Sequence, residues 1–318
     1  VKREIRAPLD PGDCQTRTFA GFLGSHREKQ KTGSHFFAQC FSSAPMHIPF
    51  RKMHGLGNDF VVIDARARAV AITARRAAAL ADRRTGIGCD QLIVLEASDQ
   101  ADVRMRIFNP DGGEVEACGN ATRAVGMLLA DEHRGETHIE TLGGLLVART
   151  GHAGISVTMG VPRFGWDTIP LAYALDTLAL PVAWEELADP VAVNVGNPHV
   201  VFFVPDTHAI DLERLGPIIE HDPLFPDRIN VNVATQTGPD ALDLRVWERG
   251  AGLTRACGTG ACATAIAAMR RRLTGRRVTV SLPGGPLVIE WDAQDAIIMT
   301  GPAATSFVGT FAPDDYPA

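Results

Sequence analysis

The sequence predicts an α+β protein of two like domains, related by a pseudo-two-fold axis and closing on one cleft. Two observations carry that prediction. A thirteen-residue stretch is used twice: residues 106–118 read RIFNPDGGEVEAC and residues 245–257 read RVWERGAGLTRAC, aligned without a gap at an offset of 139 residues, from Cys118 to Cys257. The same offset holds well beyond this stretch. Gly57-Asn58 falls on Gly196-Asn197, Val61-Val62 on Val200-Val201, Gln91 on Asn230 and Asn109 on Glu248, while Gly143-Gly144 matches Gly284-Gly285 two residues further on.

The elements follow in order. Residues 1–45 stand apart, with seven basic and four acidic side chains and no sustained period. They read as a disordered or spuriously translated leader, with Met46 the natural start and Cys14 and Cys40 belonging to the leader. No apolar core of a secretory signal is present there, and the acidic residues count against a transit peptide. From Phe50 the chain alternates as a strand, and residues 60–64 form another. Residues 73–86 read as a helix, with Thr73 as N-cap and Gly86 as stop. Residues 91–96 and 103–108 are strands. After Cys118, the positions Ala121, Ala124, Val125 and Leu128 form a helical face. Residues 137–142, 145–150 and 154–160 continue as a strand meander, and residues 162–190, rich in proline, read as a linker region.

The second half repeats this order. Residues 195–204 are a strand, 211–220 a helix, and 229–235 and 242–247 strands. Cys262, Ala265, Ile266 and Met269 form the face of a helix that ends on Arg270, Arg271 and Arg272, with Gly275 as stop. Residues 278–282, 286–291 and 296–301 complete the copy. The expected division is 1–45 leader, 46–163 first domain with a C-terminal strand at about 305–312, and 164–304 second domain.

Composition narrows the function. The chain has 318 residues, 45% of them apolar, and a formal net charge of −6, which argues against a nucleic-acid surface. No stretch of the sequence is apolar for long enough to span a membrane. The six cysteines are scattered, without a C-x-x-C pair, as in free thiols of a reducing compartment. Lysine is almost absent, with Lys52 alone beyond the leader, which removes the usual Schiff-base anchor for pyridoxal phosphate. No His or carboxylate spacing suggests a metal site, and Gly55-Leu56-Gly57 precedes a strand and so is no dinucleotide loop.

Cys118 and Cys257 each open a helix, followed by Gly119-Asn120 and Gly258-Thr259. Free N–H groups and the positive dipole end favour a thiolate and a bound carboxylate there. Two acid/base groups on opposite faces of one carbon are what stereo-inversion requires. A lone cysteine is more often a small core residue, which is the reading of Cys89 and Cys262. The amides Asn58, Gln91, Asn109, Asn197 and Asn230, together with Glu248 and Arg249, suit a substrate that is zwitterionic at more than one place.

At these residues the chain resembles the diaminopimelate epimerase family. The likeness runs from about Phe50 to Phe311, on KMHGLGNDFVVID, GIGCDQL, RIFNPDGGEVEACGNATR, VGNPHVV, RINVN, ERGAGLTRACGTGACA and LPGGPLVIEW. It implies domains built as a curled sheet or barrel around a central helix. It also implies a cytoplasmic, homodimeric, cofactor-independent epimerase that interconverts LL- and meso-diaminopimelate for lysine and peptidoglycan synthesis. Cys118 and Cys257 become the catalytic thiols, tuned by His199 and Glu248. Asn58, Gln91, Asn109, Asn197, Asn230, Glu248 and Arg249 become substrate contacts. Gly119, Asn120, Gly258 and Thr259 supply backbone donors. Two rivals stand beside this reading: a related cofactor-free racemase of the proline type, and a redox-responsive carboxylate-binding protein with a reversible disulfide.

Overall fold

The computed structural model describes residues 47–316 apart from 117 and 134. The expectations for residues 1–45, including Cys14 and Cys40, and for a start at Met46 lie outside the described residues.

Short alternating or fully apolar runs make the strands, and each half is wound in the same order. The first half runs β1 (Ile48–Gly55), β2 (Asn58–Asp64), α1 (Ala74–Ala81), β3 (Gln91–Glu96), β4 (Val103–Phe108), β5 (Glu114–Val115), α2 (Gly119–Leu129), β6 (Glu136–Thr141), β7 (Gly144–Gly151) and β8 (Gly154–Thr158). A small hairpin, β9 (Ala183–Trp184) with β10 (Leu187–Ala188), follows. The second half runs β11 (Val191–Asn194), β12 (Pro198–Phe203), α3 (Leu212–Glu220), β13 (Asn230–Gly238), β14 (Ala241–Glu248), β15 (Gly252–Thr254), α4 (Gly258–Arg270), β16 (Arg277–Leu282), β17 (Gly285–Trp291) and β18 (Ile297–Gly301). A last strand, β19 (Ala304–Phe311), returns to pair antiparallel with β1.

The pairing repeats with the sequence. β2 lies parallel to β3 and β12 parallel to β13, each pair joined through its helix α1 or α3. β4 lies parallel to β6 and β14 to β16. β8 pairs antiparallel with β18, so one sheet runs through both halves. Within the first half α2 packs on β1, β6, β7 and β8, and so meets both ends of that half's strand order. α4 does the same with β11, β12, β16 and β17. The two helices are therefore central and buried on nearly every side, beyond the single apolar face that their periodicity predicts. Within α2, Leu129 is fully buried where Leu128 is half-buried. Small residues make this possible: α4 reads GTGACATAIAAMR, and alanines and glycines let strands approach from all sides.

Each central helix has its own core, and α1 and α3 cover two further cores on the outer faces. Cys89 lies in the core beneath α1, and Cys262 in the core around α4. Leu56 crosses between halves. It sits at the β1–β2 turn yet joins the core around α4. That turn places Leu56 and Gly57 both at positive φ, 58° and 95°, as a two-residue type I′ hairpin requires.

Three expectations need correction. α1 stops at Ala81, well before Gly86, because the Asp82 carboxylate accepts from the N–H groups of Arg84 and Thr85 and turns the chain out of the helix. α4 stops before Gly275. Arg272 takes the left-handed conformation at φ 59°, and the N–H groups of Leu273 and Arg272 bond the carbonyls of Ala268 and Met269, a Schellman motif. Residues 162–190 are no free linker. Ile169, Leu171 and Leu180 are buried with Phe202 and Phe225, and the Arg271 guanidinium bonds the carbonyls of Leu178 and Asp189.

Candidate active site

Both cysteines sit at N-caps with extended backbone, Cys118 at φ −147° and Cys257 at φ −121°. The chain just before each one is pinned in the same way. The Gly143 N–H donates to the Glu116 carbonyl at 3.0 Å, and the Gly284 N–H donates to the Arg255 carbonyl at 2.8 Å. This is the structural reason for the repeated Gly-Gly: the β6–β7 and β16–β17 hairpins each hold the residue two positions before a cysteine.

The two helix starts face one another. A Cβ placed at Gly258 would lie 3.1 Å from Met299 Sδ and 3.3 Å from Asn120 Oδ1. One placed at Gly119 would lie 2.7 Å from Met299 Cε and 2.9 Å from Met159 Cε. The thioethers of Met299 and Met159 thus floor the space beneath both starts, and only glycine lets the helices come so close there.

Matched amides frame the thiols. Asn120 Nδ2 donates to Asn58 Oδ1 at 3.0 Å, and Asn197 Nδ2 donates to Thr259 Oγ1 at 3.3 Å. The same two positions meet in each half, with donor and acceptor exchanged. Beyond it the halves differ. Asn58 Nδ2 donates to Asp90 Oδ2, and Asp90 is itself held by Arg83. Asn197 is oriented by His199 instead. Asn232 Nδ2 meets His199 Nδ1 at 3.0 Å and His199 Nε2 meets Asn197 Oδ1 at 2.9 Å. The network assigns the proton to Nε2, which donates to Asn197. Thr259 Oγ1 lies 3.5 Å from Cys257 Sγ, so a chain of polar contacts runs from Asn232 to that thiol. The His199 ring is linked to the thiol by polar contacts through Asn197 and Thr259. At the matching positions of the first half stand Phe60 and Ile93.

The remaining residues gather around this frame. Gln91 Nε2 donates to Asn109 Oδ1 at 3.2 Å. Asn230 accepts from the Arg249 N–H through Oδ1 and donates to the Pro198 carbonyl. The Arg249 guanidinium is exposed and donates to the Asp227 carbonyl. Thr254 Oγ1 donates to Glu248. The carbonyl oxygens of Gln91 and Asn120 are buried and have no partner among the described residues, which suits them to accept from an ammonium group.

Electrostatics depart from the expectation of low thiol pKa values. Burial pushes the Cys118 thiol up, and the Ala121 and Asn120 N–H groups with the Arg123 charge pull against it without prevailing. Burial raises Cys257 further, aided by the neighbouring Glu248, and the Thr259 and Gly260 hydrogen bonds do not offset it. The helix start is present at both sites, but depth in the protein outweighs it. Burial also lifts the Glu248 carboxyl above its ordinary range, against the hydrogen bond from Thr254. It holds His199 down at about 3, so the ring is neutral. The Glu248 charge bears on both thiols, which links the two halves at one place.

Four participants escaped the sequence reading. Asn232 carries a signal, being polar on the same strand face as Asn230 in β13, whereas Arg123 lies off the apolar face of α2 and is buried all the same. Asp90 is part of the GIGCD turn, where an aspartate is ordinary. Met299 is one apolar residue in an apolar strand and gives no signal.

Among the described residues no group of three or more His, Cys, Asp or Glu side chains is arranged to hold a metal ion, and no helix is long and apolar enough to cross a membrane.

Comparison with known proteins extends this picture. The diaminopimelate epimerase family model matches residues 50–165 and 191–306, once in each half. The diaminopimelate epimerase of Erythrobacter litoralis is 67% identical over 272 residues, covering 85% of this chain and 100% of the relative. That of Zymomonas mobilis is 57% identical, covering 83% of this chain and 97% of the relative. Among solved structures, a phenazine biosynthesis protein of the PhzF family from Enterococcus faecalis superposes with TM-score 0.63 at 14% identity, covering 84% of this chain and 99% of the other. A hydroxyproline epimerase from Agrobacterium vitis, with trans-4-hydroxy-L-proline bound, superposes with TM-score 0.57 at 16% identity, covering 84% and 92%. These two share the two-domain, sheet-rich fold. On the family match and the sequence identity together, the chain belongs to the diaminopimelate epimerase family.

Proposed function

We propose that this chain interconverts LL- and meso-2,6-diaminopimelate through the thiols of Cys118 and Cys257, without pyridoxal phosphate or a metal. Epimerisation of diaminopimelate is the activity of the family to which it belongs; the chain is an isomerase. One observation carries the two-thiol reading: matched N-cap cysteines on two central helices whose starts meet over the same methionine.

In this mechanism one cysteine, as thiolate, takes the α-proton and becomes a thiol. The other, as thiol, delivers a proton to the opposite face and becomes a thiolate, so charge and atoms balance. The α-carboxylate is held by the backbone N–H groups of Gly119, Asn120, Gly258 and Thr259, and gains negative charge as the proton leaves. Burial makes each thiolate scarcer but a stronger base, which suits a weakly acidic carbon. Asn58, Gln91, Asn109, Asn197, Asn230, Glu248 and Arg249 read the ammonium and carboxylate groups of the substrate. His199 orients Asn197, and Glu248 tunes Cys257.

The same reading places the enzyme in the cytoplasm as a homodimer, serving lysine and peptidoglycan precursor synthesis. Its domains are residues 46–163 with the strand at about 305–312, and residues 164–304. Cys118→Ala and Cys257→Ala test the mechanism. Each is expected to lose epimerisation, and full turnover in both would rule the mechanism out.

A further inference from the structure

We propose that Arg123 is a positioning residue that makes Cys118 the thiol to ionise first, leaving Cys257 as the proton donor of the resting enzyme. The inference rests on the two-thiol reading and concerns what breaks the symmetry of the pair.

Arg123 stands on α2, one and a half turns after Cys118, and is fully buried, the largest side chain among the described residues to be so. No carboxylate forms an ion pair with it among the described residues. Its Nη1 meets Met299 Sδ at 3.4 Å, and Nε and Nη2 have no partner among the described residues. A glycine makes room for it: a Cβ at Gly55 would come within 2.9 Å of Nη2. Because Met299 also lies against the Gly119 and Gly258 positions, the guanidinium is just below the floor of the paired helix starts.

A buried cation without a carboxylate is costly unless an anion forms beside it. The titratable groups whose charge Arg123 feels are Cys118 on its own helix and Cys262 on α4. Burial draws Arg123 down only to about 10, so it is charged at neutral pH. Cys118 is faced by this cation and by Glu248 on β14. Cys257 feels the Glu248 charge and has the Thr259 hydroxyl 3.5 Å from its Sγ, with no cation in that set.

The repeat shows that the asymmetry is built in. The counterpart of Arg123 is Cys262, and the counterpart of Gly55 is Asn194. The second half has neither the cation nor the space for it. Both thiols therefore feel the Glu248 carboxylate, but only Cys118 feels a guanidinium as well. These neighbours favour loss of the proton at Cys118 and its retention at Cys257.

The test is alkylation by iodoacetamide across pH without substrate, with each cysteine followed by peptide mass spectrometry. The midpoint of each pH profile reports ionisation, whatever the access to the thiol. In the unaltered protein the Cys118 midpoint is expected below that of Cys257. Arg123→Gln is expected to raise the Cys118 midpoint by about one unit, slowing its alkylation at a given lower pH about tenfold. The Cys257 midpoint should stay in place, and Arg123→Lys should keep most of the difference. Equal or reversed midpoints in the unaltered protein would overturn the proposal. So would an unchanged Cys118 midpoint in folded Arg123→Gln, or an Arg123→Lys variant that shifts as far as the glutamine one. If Arg123→Gln does not fold, the order in the unaltered protein and the lysine variant decide. Because no turnover is read, the outcome stands apart from that of the alanine variants.

Discussion

Replacing His199 by phenylalanine copies into the second half what the first half already has at Phe60, and its cost can be worked from the contacts. The ring is fully buried, accepts from Asn232 Nδ2 at 3.0 Å and donates to Asn197 Oδ1 at 2.9 Å. The substitution removes both bonds and strands the Asn232 amide in the interior. Leaving a buried donor unpaired costs about 1–3 kcal/mol, and the bond to half-buried Asn197 adds about 0.5–1.5 kcal/mol. The expected loss is about 1.5–4.5 kcal/mol. Adding Asn232→Ile completes the Phe60–Ile93 pair and removes the stranded amide, so about 1–3 kcal/mol should return. Urea unfolding at neutral pH measures both steps. Turnover should stay low in both variants, because Asn197 has lost the group that orients it. A double variant no more stable than His199→Phe would refute the reasoning. So would full activity in either variant.

Other outcomes follow from the same geometry. His199 titrates near 3 in the fold against 6.5 for an ordinary histidine, so its contribution is fully present above pH 6.5 and is lost as pH falls towards 3. Stability should drop by about 1.4 kcal/mol per pH unit through that window from this group, and His199→Phe should flatten the slope. A slope identical in the variant would contradict the assignment. Gly284→Ala would put a methyl 1.9 Å from the Leu56 carbonyl, whereas Gly143→Ala meets the Glu116 carbonyl at 3.2 Å. The first should cost about 1–3 kcal/mol and measurably more than the second, read as the difference in melting temperature; the reverse order would show that the halves do not lock at Leu56.

Much of this architecture was readable because the repeat is encoded residue by residue. The 139-residue offset places β11 on the end of β1, β12 on β2, β13 on β3 and α4 on α2. The same offset relates two contacts of the structure, Asn58–Asn120 and Asn197–Thr259, which the sequence reading did not pair. Depth was not readable. A helix start at Cys118 is visible in the sequence, but the packing that raises its thiol comes from the first-half core assembled only in the fold. The relay through Asn232 was hidden because its counterpart is Ile93, so the repeat gave it no emphasis. Residues 162–190 looked like a linker because prolines erase any period, while Ile169 and Leu180 find their places only through contact with β12 and α3. Helix ends failed where local chemistry competes: Asp82 ended α1 and Arg272 ended α4 without waiting for glycine.

The central claim is that two thiols work from opposite faces of one carbon. Its most direct test is the fate of the α-hydrogen when purified protein, reduced and without added cofactor, acts on LL-diaminopimelate in heavy water. Early in the reaction the meso product should carry deuterium at the inverted carbon while the remaining substrate keeps its hydrogen, since one cysteine removes the proton and the other delivers deuterium from solvent. Product that retains the original hydrogen, or no exchange at all, would contradict the account.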